Sequence, residues 1–266
     1  MQVELLIIDP QVDFCDPQRG ALYVGGAEHD IARLSRLVTR LAPKLDDIHV
    51  TLDSHHFVDI AHPIFWRDSA GKHPDPFTLI SVADVEAGRW TTTQPGMYRR
   101  ALEYVQTLEK RGRYVLCIWP LHCLIGSEGH AVMPELFTAL TDWERQRFGL
   151  VDYVTKGSNI YTEHYSAVQA EVPDPTDPST QINTALIQTL MKADLIAIAG
   201  EAGSHCVRNT VTDIANNFGD DSYVKKLVLL TDATCPVTGF ENFQDDFIRE
   251  MTARGMQLST TTDFLA

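Results

Sequence analysis

The chain has 266 residues, 44% apolar and 22% charged, an ordinary globular balance with enough apolar side chain to bury a large core. Its formal charge of −14 would repel phosphate, which argues against a nucleic-acid or anionic-membrane partner. Five cysteines, an odd count without a short secreted spacing, fit a reducing compartment. MQVELLIID does not read as a signal peptide, and no apolar run approaches the roughly 18 residues that span a bilayer, so a soluble, cytoplasmic protein is expected.

Val3–Ile8 is an apolar run of strand length. A helix is predicted over about Glu28–Leu41, with Ile31, Leu34, Leu37, Val38 and Leu41 on one stripe, and Ile48–Leu52 reads as a second strand. From Asp53 to Pro95 the chain is polar, contains prolines and shows no convincing periodicity. A helix near Met97–Lys110 leads to a strand at Tyr114–Ile118, and one around Met133–Gln146 leads to Leu150–Thr155. The loop from Gly157 to Ser179 carries the turn-rich PDPTDPS. Then come a helix at Ile182–Met191, a strand at Leu195–Ala199, a helix headed by Cys206, a strand at Lys226–Leu230 and a helix at Phe240–Arg254. A weaker strand signal near Met256–Thr260 could add an edge. Six clear strand units separated by helices or long loops imply one α/β domain over residues 1–266, with a six-stranded parallel sheet covered by helices on both faces. No linker or internal repeat divides it.

Ligands of open α/β sheets bind beyond the carboxyl ends of the strands. The residues just past each apolar run are therefore informative. Asp9 follows the first strand; Asp53, with His55 two residues on, follows the second. Trp119 and His122, in WPLHC, follow the third, Lys156 the fourth, Cys206 the fifth and Asp232 the sixth. Any one of these is ordinarily a turn residue or a solvated charge; the set on one rim is not. Asp53, His55 and His122 together offer one carboxylate and two imidazoles, which suits zinc or iron(II) with open positions. The stretch GEAGSHCVRNTVTD places Cys206 at the head of a helix, where backbone amides and the helix dipole favour a thiolate. Free cysteine is also among the most buried residue types, so an ordinary core thiol is the alternative.

These motifs resemble the isochorismatase-like cysteine hydrolases, and most of all the nicotinamidases. IIDPQVDFC, with Asp9 and Phe14, is similar to their opening motif; TLDSHH with WPLHC is similar to their metal motif; TKGSN and GEAGSHCVRNTVTD complete an Asp–Lys–Cys triad. The resemblance runs from Val3 to about Asp232 and implies a six-stranded parallel sheet in a three-layer sandwich. Two departures stand out. Ser54 occupies a place that is usually aromatic, and the segments of about 64–95 and 166–180, the latter after Tyr165, read as loop insertions.

The resemblance implies a cysteine amidase. Cys206 would attack an amide carbonyl, Asp9 would move the proton, and Lys156 would hold Asp9 ionised. The amides of Cys206 and Ala202 would receive the oxyanion, with a cis peptide at Glu201–Ala202. A divalent metal, zinc before iron or manganese, would sit on Asp53, His55 and His122, with His62 a candidate fourth ligand. Phe14, Trp119 and Tyr165 would bind the substrate. His56, His130 and His164 are further histidines near the motifs. A small primary amide such as nicotinamide is the expected substrate, and a homo-oligomer is expected. A carbamoyl or ureido compound, or an idle homologue that only binds, are the other readings.

Overall fold

The computed structural model of the chain describes all 266 residues, Met1–Ala266. In chain order its elements are β1 (Val3–Ile8), α1 (Val12–Cys15), α2 (Ala27–Leu41), β2 (Asp47–Asp53), β3 (Trp66–Arg67), β4 (Leu79–Ile80), α3 (Val82–Glu86), β5 (Thr91–Thr92) and α4 (Tyr98–Arg111). They continue with β6 (Leu116–Cys117), α5 (Pro134–Arg147), β7 (Asp152–Lys156), α6 (Thr184–Lys192), β8 (Leu195–Gly200), α7 (Cys206–Asn217), β9 (Leu227–Leu230), α8 (Glu241–Arg254) and β10 (Gln257–Ser259).

Six strands form one all-parallel sheet in the order β10-β9-β8-β1-β2-β7. All six residues of β1 are buried, as a parallel strand covered on both faces requires. The predicted stripe of α2 is buried in full, and α2 packs beside α5. The chain builds outward from β1 through β2 to β7, then returns to the other side of β1 for β8, β9 and β10. Strand order therefore reverses between β1 and β8, the crevice where such sheets bind ligands. Asp9 leaves the end of β1 there, and the loop after β8 leads to Cys206. No helix is long and apolar enough to cross a membrane.

Two strand expectations change places. Tyr114–Ile118 yields only Leu116–Cys117, which pair antiparallel with Leu79–Ile80 away from the main sheet. Leu116, Cys117 and Ile118 are buried as the sequence pattern requires, but β4 supplies the partner, so burial is met without joining the sheet. The sixth position goes to β10, parallel to β9, whose residues are largely exposed and so carry a faint apolar signal. The aperiodic stretch before Pro95 holds only short elements. Among them is α3, begun by a capping box between Ser81 and Asp84.

Candidate active site

The ends of β1, β2 and β7 deliver three charged groups to one buried point. Lys156 Nζ lies 2.8 Å from Asp9 Oδ2 and 3.1 Å from Asp53 Oδ1, and it donates to Cys206 Sγ across 3.6 Å. Register alone aligns two of them, because Asp53 and Lys156 are direct partners across the β2–β7 ladder. Asp9 adopts φ 44°, a left-handed conformation that costs a non-glycine residue on the order of 1–3 kcal/mol. The Asp9 amide donates to Thr51 Oγ1 (3.0 Å), whose hydroxyl donates back to Asp9 Oδ1. Gln11 braces the neighbouring strand end by accepting from the Asp53 amide (2.7 Å) and donating to the Asp53 carbonyl (2.8 Å). Gly157, at φ +89°, follows Lys156, and a Cβ there would stand 2.8 Å from Asp53 Oδ1.

Burial sets the electrostatics. It raises the Asp9 carboxyl against the opposing pull of Lys156. Burial also acts on Asp53, but His55 and Lys156 outweigh it and hold that carboxyl well below its usual range. Lys156 stays cationic far above neutrality, because Asp53 and Asp9 overcome its desolvation. Cys206 heads α7 as the sequence implies, yet its surroundings hold it as a thiol. Burial pushes it well up and the Asp9 and Asp53 carboxylates add to that, while Lys156 alone pulls down. A standing thiolate is therefore not what this site keeps at rest.

Beside the triad, Asp53, His55 and His122 place one ligand atom each within 4.8 Å of one another. His122 Nδ1 donates to the Pro120 carbonyl (2.8 Å), and its Nε2 faces Asp53 Oδ2 at 3.5 Å. His55 Nε2 also faces Asp53 Oδ2 (3.0 Å), with Nδ1 held on Asp59 Oδ2 (3.1 Å). His62 donates from Nδ1 to the Phe57 carbonyl (3.4 Å), and its buried Nε2 has no partner. The His62 ring lies 5.2 Å from that of His55 and 5.6 Å from that of His122. Imidazoles whose outer nitrogens rest on a carboxylate or carbonyl, and whose inner nitrogens crowd one carboxylate, fit a divalent cation.

One cavity of about 30 Å³ brings together Cys206, Ala202, Asp53, His55 and His122 with Phe14, Trp119 and Tyr165. Asp9 and Lys156 lie beneath it. Trp119 donates from Nε1 to Glu163 Oε2 and to the Tyr165 hydroxyl, both at 3.0 Å. The Glu201–Ala202 peptide is cis, and neither the Ala202 nor the Cys206 amide has a hydrogen-bond partner. Asp232 stands apart from the site: its carboxylate accepts from the Thr261 amide and hydroxyl, both at 2.7 Å. Ser54 also faces elsewhere, donating to the Leu52 carbonyl and meeting His130 Nε2 at 2.8 Å. His56 is exposed, whereas His164 lines the cavity and accepts from the Gly157 amide (3.3 Å).

Sequence reasoning missed Glu163, His205, Asp59 and Gln11. Glu163 and His205 line the cavity, and the other two brace its ligand groups. Burial pushes the Glu163 carboxyl up to about 8 and lowers His205 and His62 to about 4 and His164 to about 3. His205 and Gln11 sit inside the quoted motifs and could have been found there. Glu163 and Asp59 carry no local signal.

No protein-family model and no curated protein sequence matches the chain. Solved structures do. The yeast nicotinamidase aligns with a TM-score of 0.63 at 20% identity, over 97% of this chain and 99% of that one. PnC1 from L. infantum, in complex with nicotinate, gives 0.62 at 20% identity over 98% and 93%. The pyrazinamidase of Pyrococcus horikoshii, in complex with zinc, gives 0.55 at 18% identity over 98% and 99%. The chain thus has the isochorismatase-like fold of these proteins along nearly its whole length.

Proposed function

We propose that the protein is a metal-containing cysteine amidase that hydrolyses a small primary amide to its acid and ammonia, with nicotinamide the first substrate to try. The observation that carries the reading is Lys156, whose ammonium joins Asp9, Asp53 and Cys206 in one buried cluster beside the imidazoles. Neighbours described as nicotinamidase and pyrazinamidase, one with zinc and one with nicotinate, support it.

In this reading Cys206 gives its proton to the Asp9 carboxylate as Sγ attacks the amide carbon. Because the resting group is a thiol, attack and proton transfer go together, and an Asp9 raised by burial is the better acceptor. The free amides of Ala202 and Cys206 receive the oxyanion. Asp9 returns the proton to the departing ammonia, leaving a thioester. Water then attacks, giving a proton to Asp9, and the thiol re-forms as the acid leaves. Throughout, Lys156 keeps charge balanced between Asp9 and the sulfur. Asp53, His55 and His122, with His62 as a fourth candidate, would hold zinc, or iron or manganese, which supplies a Lewis-acid site for a heteroatom of the substrate. Phe14, Trp119 and Tyr165 offer apolar ring faces to a planar group.

Ammonia release from nicotinamide, pyrazinamide, biuret, carbamoyl-sarcosine and simple aliphatic amides tests this. Turnover of nicotinamide and pyrazinamide that disappears in Cys206→Ala is the expected result. Ureido or aliphatic compounds turned over orders of magnitude faster would remove nicotinamide while leaving the amidase. No Cys206-dependent turnover of any member would remove the amidase.

A further inference from the structure

Behind the aromatic side of the site lies a second, larger void of about 180 Å³. It shares three walls, Trp119, Tyr165 and His205, with the site cavity of about 30 Å³. Tyr114, Phe240 and Phe243 complete an aromatic lining, and Leu79 stands at the mouth, 57% exposed. His205 is the hinge of this arrangement. Its ring lies 4.9 Å from Phe240, 5.4 Å from Trp119, 5.5 Å from Tyr165 and 5.8 Å from Tyr114, the last nearly parallel at 20°. Its Nδ1 is occupied by Ser204 Oγ (2.9 Å), and burial keeps the ring neutral, so it acts here as an aromatic face.

We propose that this chamber is a second subsite of the active site, built for an apolar, planar substituent carried by the amide. The inference rests on the amidase reading. The amide head group would occupy the small cavity over Cys206, and the substituent would pass beside His205 into the aromatic lining. Three observations select an uncharged planar group. The walls are apolar rings; Leu79, Val115 and Cys117 complete them without a carboxylate; and the one cation among the lining residues, Arg113, is committed to Asp213 (2.8 Å) and Glu171 (3.7 Å), while Arg208 lies over the Phe243 ring at 5.1 Å. Rings meeting edge to face, such as His205 with Phe240 at 75°, leave π-faces and edges for an added ring.

A homologous series separates the parts: acetamide, phenylacetamide, 3-phenylpropanamide and 4-phenylbutanamide, assayed by ammonia release with wild type and Leu79→Trp. The expected result is one spacer length at which kcat/KM exceeds that of acetamide by about tenfold or more, the scale on which an apolar pocket discriminates. In Leu79→Trp, which narrows the mouth, the phenyl-to-acetamide ratio falls toward one. A ratio that is flat in wild type, while short amides are hydrolysed in a Cys206-dependent way, overturns the subsite and leaves the amidase standing. If none of these four is hydrolysed, the nicotinamide and pyrazinamide assay decides the amidase reading and calorimetry decides the chamber alone. 3-Phenylpropanamide must then bind wild type about tenfold more tightly than propanamide and lose that margin in Leu79→Trp. Equal binding of the two overturns it.

Discussion

One wall of the cavity is charged and comes from strand ends; the other is aromatic and comes from connecting segments. Asp9, Asp53 and Lys156 leave β1, β2 and β7 at fixed register, and a buried lysine holds them within ion-pair distance. Trp119, Tyr165, His205 and Phe240 lie outside the main strands, in loops or at helix starts. The first wall has one arrangement because each charge is buried and needs its partner. The second is held by ring packing and two hydrogen bonds from Trp119, so its rings can be exchanged at lower cost. In this molecule the buried charges are anchored to the sheet, and the aromatic rings are left to the loops.

The widest separation of the two walls should come from Cys206→Ala. It removes the proposed nucleophile without touching the ion pairs, so turnover is expected to drop by about 10⁴-fold or more. Circular dichroism and thermal melting should be nearly unchanged, which assigns the loss to chemistry.

Lys156→Met attacks the charged wall as structure. Two carboxylates would be left buried without their cation, and breaking such a pair costs about 3–5 kcal/mol. For a chain of this size the melting temperature should fall by roughly 10 °C. Tyr165→Phe, on the other wall, removes only a hydroxyl that accepts from Trp119 and should shift it far less. Equal shifts would end the distinction between the walls.

The proposed metal ligands sharpen the comparison further. His122→Ala should abolish binding of about one divalent ion per chain, read by elemental analysis. Asp59→Asn, which alters only the acceptor behind His55, should weaken zinc about 10–100-fold without abolishing it. Near-zero metal in wild type would show that the imidazoles form a polar rim and nothing more.

The charged wall was legible in the sequence for a physical reason. An apolar run of strand length predicts where a parallel strand ends, and the residue after it must lie on the ligand-binding rim; Asp9, Asp53 and Lys156 follow from that rule. Cys206 followed from the small residues and helical pattern around it. His122 and Trp119 were read from the same rule and from the WPLHC motif, although the strand expected before them is not in the main sheet. The rule failed at Asp232, whose carboxylate turns away to the Thr261 amide and hydroxyl just past β10, on the outer side of β9. Glu163, Asp59 and Phe240 were not legible. Each reaches the site through an irregular loop or a helix start, whose path depends on contacts distant in sequence.

The smallest effect concerns a carboxyl behind the aromatic wall. Glu171 is buried 3.7 Å from Arg113, and neither of its oxygens has a hydrogen-bond partner. Burial raises it from the ordinary value near 4.5 to about 7, Arg113 only partly opposing. Between those two pH values the folded protein keeps a proton that the unfolded chain has released. Stability from this group is thus fully present below about 4.5 and declines as pH rises to about 7, then levels off. The buried histidines His62, His164 and His205, all lowered, run the other way and lose stability as pH falls below about 6.5. A wild-type melting curve mixes the two trends, so the difference between variants is the cleaner measurement. Glu171→Gln keeps shape and neutrality. Its melting temperature minus that of wild type should climb by a few degrees from pH 4.5 to 7 and be flat above, while the histidine contribution cancels. A pH-independent difference would place Glu171 as a carboxylate paired with Arg113 at all pH values. The aromatic wall would then rest on an ion pair, much like the wall opposite.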